Sequence, residues 1–521
     1  MTQKKRTLLQ SFMSSSSGTL VSKLFGLVRE LVLSSVLGAG KIYDSFIIAW
    51  TFPGIIRRFV ADEGLTGALM PAIGQAEKEA KEQARLLASQ ALGALLIVCL
   101  LLSVVGVIAA PALVGWMAPS FTGEQLSLTI SLSQVLFPFV IFVSVLSWME
   151  TLLNLREHYF WPKVAPAMVS VCVISAAFFF PGENLTDTIW AVSFATLMGG
   201  VLQVLICIPA LKRLWGIIPP RFTGFSNPRF KSLLAEMGKV ALIGIAAKIN
   251  IIVLRYLAST LEEGAMTWYW NATRLVDFAQ GIIAVGMASV LLPKIVKAVA
   301  DNDGIAFREH FGGASRLAGV MLIPFAAFLL FFAEPFVAIL LRHGKYTWGD
   351  VQQTSTAMQL LTPFMLAVGG INIVKKPFYA LDRRDVLLGV GIFGVILTFG
   401  LGFWLCPLYG VNGLAAALSI STTIQLTLYL LIVRTLVDGG LGLFALLKYF
   451  AIVAVASLPS IGIGLFIQPF GNWENGFTIM NALILTAIGI VGGIAFVITA
   501  TLLKIEEIHS IVGKFRRKLG M

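Results

Sequence analysis

The chain has 521 residues, of which 57% are hydrophobic and only 13% charged, against roughly 45–50% and about 25% in soluble domains. With a mean hydropathy of +0.86 and recurrent apolar runs of about 20 residues, these figures exclude a soluble protein and indicate a polytopic helical membrane protein. The formal charge of +12 would suit a nucleic-acid partner in a soluble domain, so its location along the chain decides its meaning.

At the start, Lys4, Lys5 and Arg6 precede the run Ser14 to Ser17, and Lys23 interrupts the following apolar stretch. That pattern does not fit a cleaved signal, so the first span is expected to remain. Helical segments are expected near 12–37, 42–74, 86–118, 125–153, 159–181, 188–213, 229–260 and 264–293, then near 309–341, 351–374, 385–407, 411–433, 442–468 and 477–503. Fourteen spans place both termini on one side. Both are basic, through Lys4–Arg6 and through Lys504, Lys514, Arg516, Arg517 and Lys518, and basic segments stay in the cytoplasm.

The loops give the same answer. Those between spans 3/4, 5/6, 7/8, 11/12 and 13/14 contain no Lys or Arg, whereas the alternate loops carry Lys78, Lys81, Arg85, Arg156, Lys163, Lys212, Arg213, Arg221, Lys294, Lys375 and Arg434 among others. Only Lys41, Arg342 and Lys345 fall on the outward side. Most of the net charge is therefore an orientation signal, and no nucleic acid is expected as a partner.

After the loops are assigned, the cations left deep in spans are Lys23, Arg29, Arg57, Arg58, Lys239, Lys248, Arg255 and Arg274, confined to spans 1, 2, 7 and 8. Each costs at least about 2.5–3.5 kcal/mol near the bilayer centre, so together they call for a water-filled cavity, partners or a function. Ser15, Gly18, Ser22, Gly26 and Arg29 share one helical face; so do Gly244, Lys248, Arg255 and Ser259, then Asp44, Thr51, Arg58 and Asp62, and finally Asn271, Arg274, Asp277 or Phe278, and Gly281. Four polar stripes inside apolar helices are what a lined aqueous cavity requires.

Spans 1–6 and 7–12 read as two copies about 225 residues apart. Arg29 echoes Arg255; Leu69-Met70-Pro71-Ala72-Ile73 echoes Leu291-Leu292-Pro293-Lys294-Ile295; Leu152 to Glu157 echoes Tyr379 to Arg384. Six spans per copy relate the halves by an axis along the membrane normal, with a substrate site between them.

Other motifs lead away from catalysis. Cys99, Cys172, Cys207 and Cys406 lie far apart in apolar segments, and His158, His310, His343 and His509 are scattered. Neither a disulfide framework, a metal site nor a catalytic triad is expected. Gly389 to Gly394 matches G-x-G-x-x-G but has no preceding strand, which favours helix packing. Asn184-Leu185-Thr186 fits a glycosylation acceptor, and Glu262-Glu263, the one adjacent acid pair in an outward loop, reads as a solvated turn rather than transferase chemistry.

Ser22-Lys23-Leu24-Phe25-Gly26-Leu27-Val28-Arg29-Glu30, Gly38-Ala39-Gly40, Tyr43-Asp44-Ser45-Phe46, Phe52 to Arg58 and Glu63-Gly64 resemble the N-terminal signature of the MurJ (MviN) lipid II flippases. The resemblance continues through Ala272 to Phe278, Gly281, Leu291-Leu292-Pro293, His343 to Thr347 and Lys375 to Ala380. It implies the multidrug/oligosaccharidyl-lipid/polysaccharide exporter fold, with two lobes around a cavity that passes the undecaprenyl-diphosphate-linked peptidoglycan precursor outward across the bacterial inner membrane. By that resemblance Lys23, Arg29, Arg57 and Arg274 line the cavity, Asp44 is the matching acid, and spans 13 and 14 form a groove for the lipid tail. This chain departs from the pattern at Lys23 (usually Arg), Glu30 (Asp), Thr273 (Asp), Asp277 (Glu) and Leu254 (Asp, the carboxylate of a sodium site).

The expectation is thus an all-α polytopic membrane protein of 14 transmembrane helices: an N-terminal lobe over 1–213, a cytoplasmic linker over 214–228, a C-terminal lobe over 229–436, two further helices over 437–505 and a basic tail over 506–521. The expected activity is lipid II flipping without bond-making chemistry. A drug or cation antiporter or a polysaccharide-lipid exporter of the same superfamily is the alternative, and organic cations would be repelled by the eight Lys and Arg. Expected substrate ligands are Lys23, Arg29, Arg57, Arg58, Arg255 and Arg274, with Glu30, Asp44, Asn250 and Asp277 as polar cavity residues. No metal or cofactor is assigned; the partners are lipid II, membrane lipids and, through the resemblance, the wall-synthesis proteins.

Overall fold

The computed structural model describes residues 8–57, 66–224, 228–287, 297–299, 301, 303–381, 383–436 and 441–509, and every regular element among them is helical. Nine segments among the described residues are long and apolar enough to cross a bilayer, from Lys81–Met117 to Ile479–Leu502. Helices outside that set include Leu8–Leu37, Lys41–Arg57, Pro228–Ser259 and Ala265–Met287. These are the segments in which the sequence places its deep cations.

Local chemistry explains where the helices break. Gly123–Leu136 and Phe139–Leu155 meet at Pro138, and Phe160–Val164 and Ala167–Phe179 at Pro166. Proline has no N–H to donate and its ring crowds the carbonyl four residues back, so the helices expected over 125–153 and 159–181 are each interrupted there. Arg384–Leu436 runs for 53 residues, about 80 Å at 1.5 Å per residue and more than twice a ~30 Å hydrocarbon core. It is two helices joined at Gly410, whose φ of 56° and ψ of −135° suit a residue without Cβ. A kink replaces the loop expected between spans 11 and 12. The expected second span, 42–74, is the helix Lys41–Arg57 followed by Thr66–Glu79, with 58–65 outside the described residues.

Helix starts are capped by their own sequence. Asn184 accepts from the Asp187 N–H, Thr478 from Asn481, Asp303 from Ala306, and Thr347 forms a reciprocal capping box with Asp350. Each cap satisfies an N–H that the helix itself leaves without a partner.

The chain divides into two compact units, Met1–Gly264 and Ala265–Met521, so the helix Pro228–Ser259 falls with the first. In that unit a core around Trp148, Leu152, Cys207, Trp215 and Phe230 is cross-linked by indoles: Trp148 Nε1 donates to the Ala88 carbonyl at 3.0 Å and Trp215 Nε1 to that of Leu152 at 2.8 Å. Arg156 lies 4.4 Å over the Trp215 ring and pairs with Glu77. The segment 216–224 is extended along the helix Lys81–Met117. Arg221 N–H donates to the Ser89 carbonyl, Gln90 Nε2 to those of Thr223 and Gly224, and a Cβ at Gly93 would collide with the Arg221 backbone.

In the second unit, helices Gly304–Phe331, Leu443–Ile467 and Ile479–Leu502 pack in sequence around Val320, Val453, Ala456 and Ala500. Lipid is as apolar as leucine, so close packing rather than water exclusion holds such helices. Accordingly the Phe332 ring sits where a Cβ at Gly464 would be. Gly394, from the G-x-G-x-x-G run, receives the Gln425 amide in the same way while Gly389 and Gly391 face open space. Of that run, Gly394 alone is a packing contact among these three glycines.

Candidate functional site

Arg29 stands in the helix Leu8–Leu37 with a side chain 17% exposed. Its Nη2 donates to Glu30 Oε1 at 2.6 Å, and its guanidinium lies 5.9 Å from the centre of the Trp50 ring. Glu30 is buried and its second oxygen accepts from the Tyr43 hydroxyl at 3.1 Å. A cation and an anion inside an apolar helix are thereby paired with each other and anchored to the helix Lys41–Arg57. Neighbours at i and i+1 do not ordinarily face each other on a helix, so the contact exists because the long arginine bends back to the carboxylate.

The rest of the expected stripe divides. Gly18 packs against Lys163 Cβ and the Phe160 carbonyl, whereas Gly26 faces open space and Lys23 is exposed. Asp44 is 3% exposed and its Oδ2 accepts from the Gly264 N–H at 2.9 Å. Beside it Glu263 accepts from the Lys41 N–H and pairs with its ammonium at 3.8 Å. The pair Glu262-Glu263 is thus a turn anchored at its second member. In the helix Pro228–Ser259, Arg255 is buried at 5% exposure, and Asn250 is half-buried with its Oδ1 lacking a hydrogen-bond partner among the described residues. Ser120 Oγ donates to the Ser259 carbonyl, so this helix is also fastened near its end.

In the second unit, Arg274 lies 3.9 Å over the Trp270 ring, one helical turn back. Asn271 donates to the Tyr346 hydroxyl at 3.4 Å, Trp268 Nε1 to Asp350 at 2.8 Å, and Asp277 is exposed. Arg58 lies outside the described residues, as do the side chains of Arg57, Lys239 and Lys248, the Leu291–Ile295 echo, Glu63-Gly64 and the basic residues Lys4–Arg6 and Lys514–Lys518.

Three aromatic residues outside the expected ligand set stand beside its members: Tyr43 and Trp50 next to Glu30 and Arg29 in the first unit, and Trp270 next to Arg274 in the second. Trp270 and Arg274 are i, i+4 neighbours, a spacing that alone signals contact. Tyr43 and Trp50 reach a different helix, which no spacing reveals. Chemically, an indole face braces a guanidinium while leaving its N–H edge available for oxygen acceptors.

Residues 33–484 match the family described as lipid II flippase MurJ. The chain belongs to that family. It is accordingly a multi-pass membrane transporter rather than an enzyme, and lipid II flipping is the family's activity. The chain is 25% identical over 424 residues to the probable lipid II flippase MurJ of Buchnera aphidicola subsp. Acyrthosiphon pisum, covering 81% of this chain and 83% of that one. It is 27% identical over 435 residues to the lipid II flippase MurJ of Burkholderia cenocepacia, covering 82% and 84%. Among solved structures it is similar to a lipid II flippase MurJ in an inward closed conformation, with a TM-score of 0.78 at 19% identity over 94% of this chain and 99% of that one. A multidrug MATE transporter in an inward-facing conformation has a TM-score of 0.67 at 18% identity over 82% and 96%. The fold is common to both kinds of transporter, and the family match separates the chain from the drug exporters.

Proposed function

We propose that the chain moves the undecaprenyl-diphosphate-linked peptidoglycan precursor, lipid II, from the inner to the outer leaflet of the bacterial cytoplasmic membrane by alternating access through a cationic cavity. The observation that carries this reading is the bracing of Arg29 and Arg274 by indoles, on the helices Leu8–Leu37 and Ala265–Met287. Held in this way, guanidinium groups are preorganised for phosphate oxygens, which they bind in charge-assisted, often bidentate contacts.

Glu30 has a part in this mechanism. An unpaired buried charge is costly, so in the empty protein Glu30 serves as the resident anion of Arg29. An arriving diphosphate competes for that guanidinium, and its departure on the outer side restores the Arg29–Glu30 pair. Arg255 and Arg274, with Lys23, Arg57 and Arg58, supply the remaining positive charge; Asp44, Asn250 and Asp277 supply polar contacts. The membrane potential biases a charged complex by about 2.3 kcal/mol per charge per 100 mV.

In this reading the chain crosses the membrane fourteen times with both termini in the cytoplasm, the copies 1–213 and 229–436 act as the two lobes, and 437–505 serves the lipid tail. Wall-synthesis proteins are its expected partners.

Depletion in the host tests the assignment. Lipid II accessible to an impermeant outer-leaflet reagent should fall, and the wild-type chain but not Arg274→Ala should restore it. Unchanged accessibility after depletion would overturn the proposal.

A further inference from the structure

A cavity with charged groups around an apolar lining lies in the C-terminal unit. It is an open cleft of about 530 Å³ between the start of helix Gly304–Phe331, the start of helix Leu443–Ile467 and the turn after Leu502, within the size range of small-molecule sites. Its place at the ends of three apolar helices puts it at the level of lipid headgroups.

Its charges are arranged in two sets. Arg316 is already occupied: its Nε donates to Glu507 Oε1 at 2.8 Å, and Tyr449 donates to the other oxygen of that carboxylate. Arg316 and Tyr449 line the cavity, and their shared carboxylate balances the arginine's charge. Arg308 and Lys504 line the same cavity, and the side chain of neither has an ion-pair or hydrogen-bond partner among the described residues. Two carboxylates, Glu309 and Glu506, line it as well. The available groups are therefore two cations and two anions beside an apolar wall that includes Leu441 and Leu446.

The backbone is shaped to deliver these groups. Lys504 has φ of 56° and follows a helix whose end is closed by Lys504 N–H to Thr501 and Ile505 N–H to Ala500. Glycine is usual at that left-handed position, where a side chain crowds the backbone. The turn brings both Lys504 and Glu506 to the cavity. Opposite, Gly442 (φ 62°) leaves the space against which the Arg308 guanidinium rests; a Cβ would stand 3.1 Å from its Nε.

We infer that this cavity binds the headgroup of a zwitterionic, primary-amine phospholipid, with Arg308 and Lys504 on the phosphate and Glu309 and Glu506 on the ammonium. A purely anionic headgroup would leave both carboxylates facing negative charge, and a soluble amine phosphate would forgo the apolar wall.

Native mass spectrometry of the detergent-solubilised full chain, titrated with dioleoyl-phosphatidylethanolamine or dioleoyl-phosphatidylglycerol, tests this. The ethanolamine lipid should bind about tenfold or more tightly than the glycerol lipid. Arg308→Ala with Lys504→Ala should weaken it by about tenfold or more, Arg308→Lys with Lys504→Arg should keep it, and Glu309→Gln with Glu506→Gln should reverse the preference toward phosphatidylglycerol. Equal binding of the two lipids by the wild type, or unchanged selectivity in the glutamine variant, overturns the inference. So does glycerophosphoethanolamine that competes as well as the lipid, since it would mark a soluble-metabolite site. The measurement contains no transport step, so its failure would leave the flippase reading untouched.

Discussion

Arg274 is the residue whose role can be tested most directly. Its guanidinium is braced on Trp270 at 3.9 Å, and losing a charge-assisted bond costs about 1.5–3 kcal/mol. Arg274→Ala should therefore lower affinity for a soluble diphosphate analogue on the order of tenfold to a hundredfold, measured by calorimetry on purified protein. Arg274→Lys should recover only part of the loss, because an ammonium has no bidentate fork. If instead Arg274 only neutralises its i+3 neighbour Asp277, adding Asp277→Ala to Arg274→Ala should restore transport, and that rescue would end the ligand assignment. Glu30 gives a prediction of opposite sign. Its carboxylate occupies Arg29 at 2.6 Å, so Glu30→Gln should raise diphosphate affinity by removing the competitor while slowing release, read as tighter binding with lower turnover. Unchanged affinity would show that Arg29 does not meet the substrate. At this scale the sequence was legible where energy is large: a cation in hydrocarbon stands out whatever its neighbours. The contacts of Tyr43 and Trp50 were not, because they cross between helices, and the burial of Asp44 against Gly264 depends on a turn 220 residues away.

The two helices outside the repeat, Leu443–Ile467 and Ile479–Leu502, are only 22% and 17% buried over their apolar windows, so most of their surface is left for lipid. Their glycines are of two kinds. Gly462, Gly489 and Gly493 face open space, whereas Gly464 receives the Phe332 ring and Gly492 lies against Ser460. A tryptophan at Gly489 should therefore leave folding and diphosphate binding intact while impairing transport of the full lipid, as a blocked tail groove would. Gly464→Trp should instead overpack the core and lower thermal stability, a class of change that costs about 1–3 kcal/mol. Loss of diphosphate binding in Gly489→Trp would favour ordinary packing for that face as well. Hydropathy marked these helices because 20-residue apolar runs are unambiguous. The breaks at Pro138 and Pro166 were also written in the sequence, though the apolar count ran straight through them. The start of Lys81–Met117, five residues before its expected beginning, was hidden because its first turns are polar.

At the scale of the whole molecule, orientation rests on the asymmetry of loop charge, and the structure improves the means of testing it. The loop before helix Leu185–Leu205 contains no Lys or Arg, while the segment around Lys212 and Arg213 is basic. Positive loops are retained in the cytoplasm, so the two ends of this single hydrophobic passage should lie on opposite sides. Asn184 is a poor place for a reporter cysteine, since its side chain caps the helix at the Asp187 N–H and losing such a cap costs about 0.5–2 kcal/mol. Glu183 and Arg213 are exposed and carry no such bond among the described residues. Of the four native cysteines three are buried and Cys172 is half-buried, which keeps the background low. In intact cells permeable to the outer-membrane side, an impermeant maleimide should label Glu183→Cys at once and Arg213→Cys only after lysis. The reverse order would invert every loop assignment together, because an alternating chain cannot flip one passage alone. It would also place the basic ends and the headgroup-level cavity on the outer face, where a substrate made in the cytoplasm could not first meet them. The proposed fourteen-pass topology, with loading from the inside, therefore requires Glu183 to be the residue labelled first.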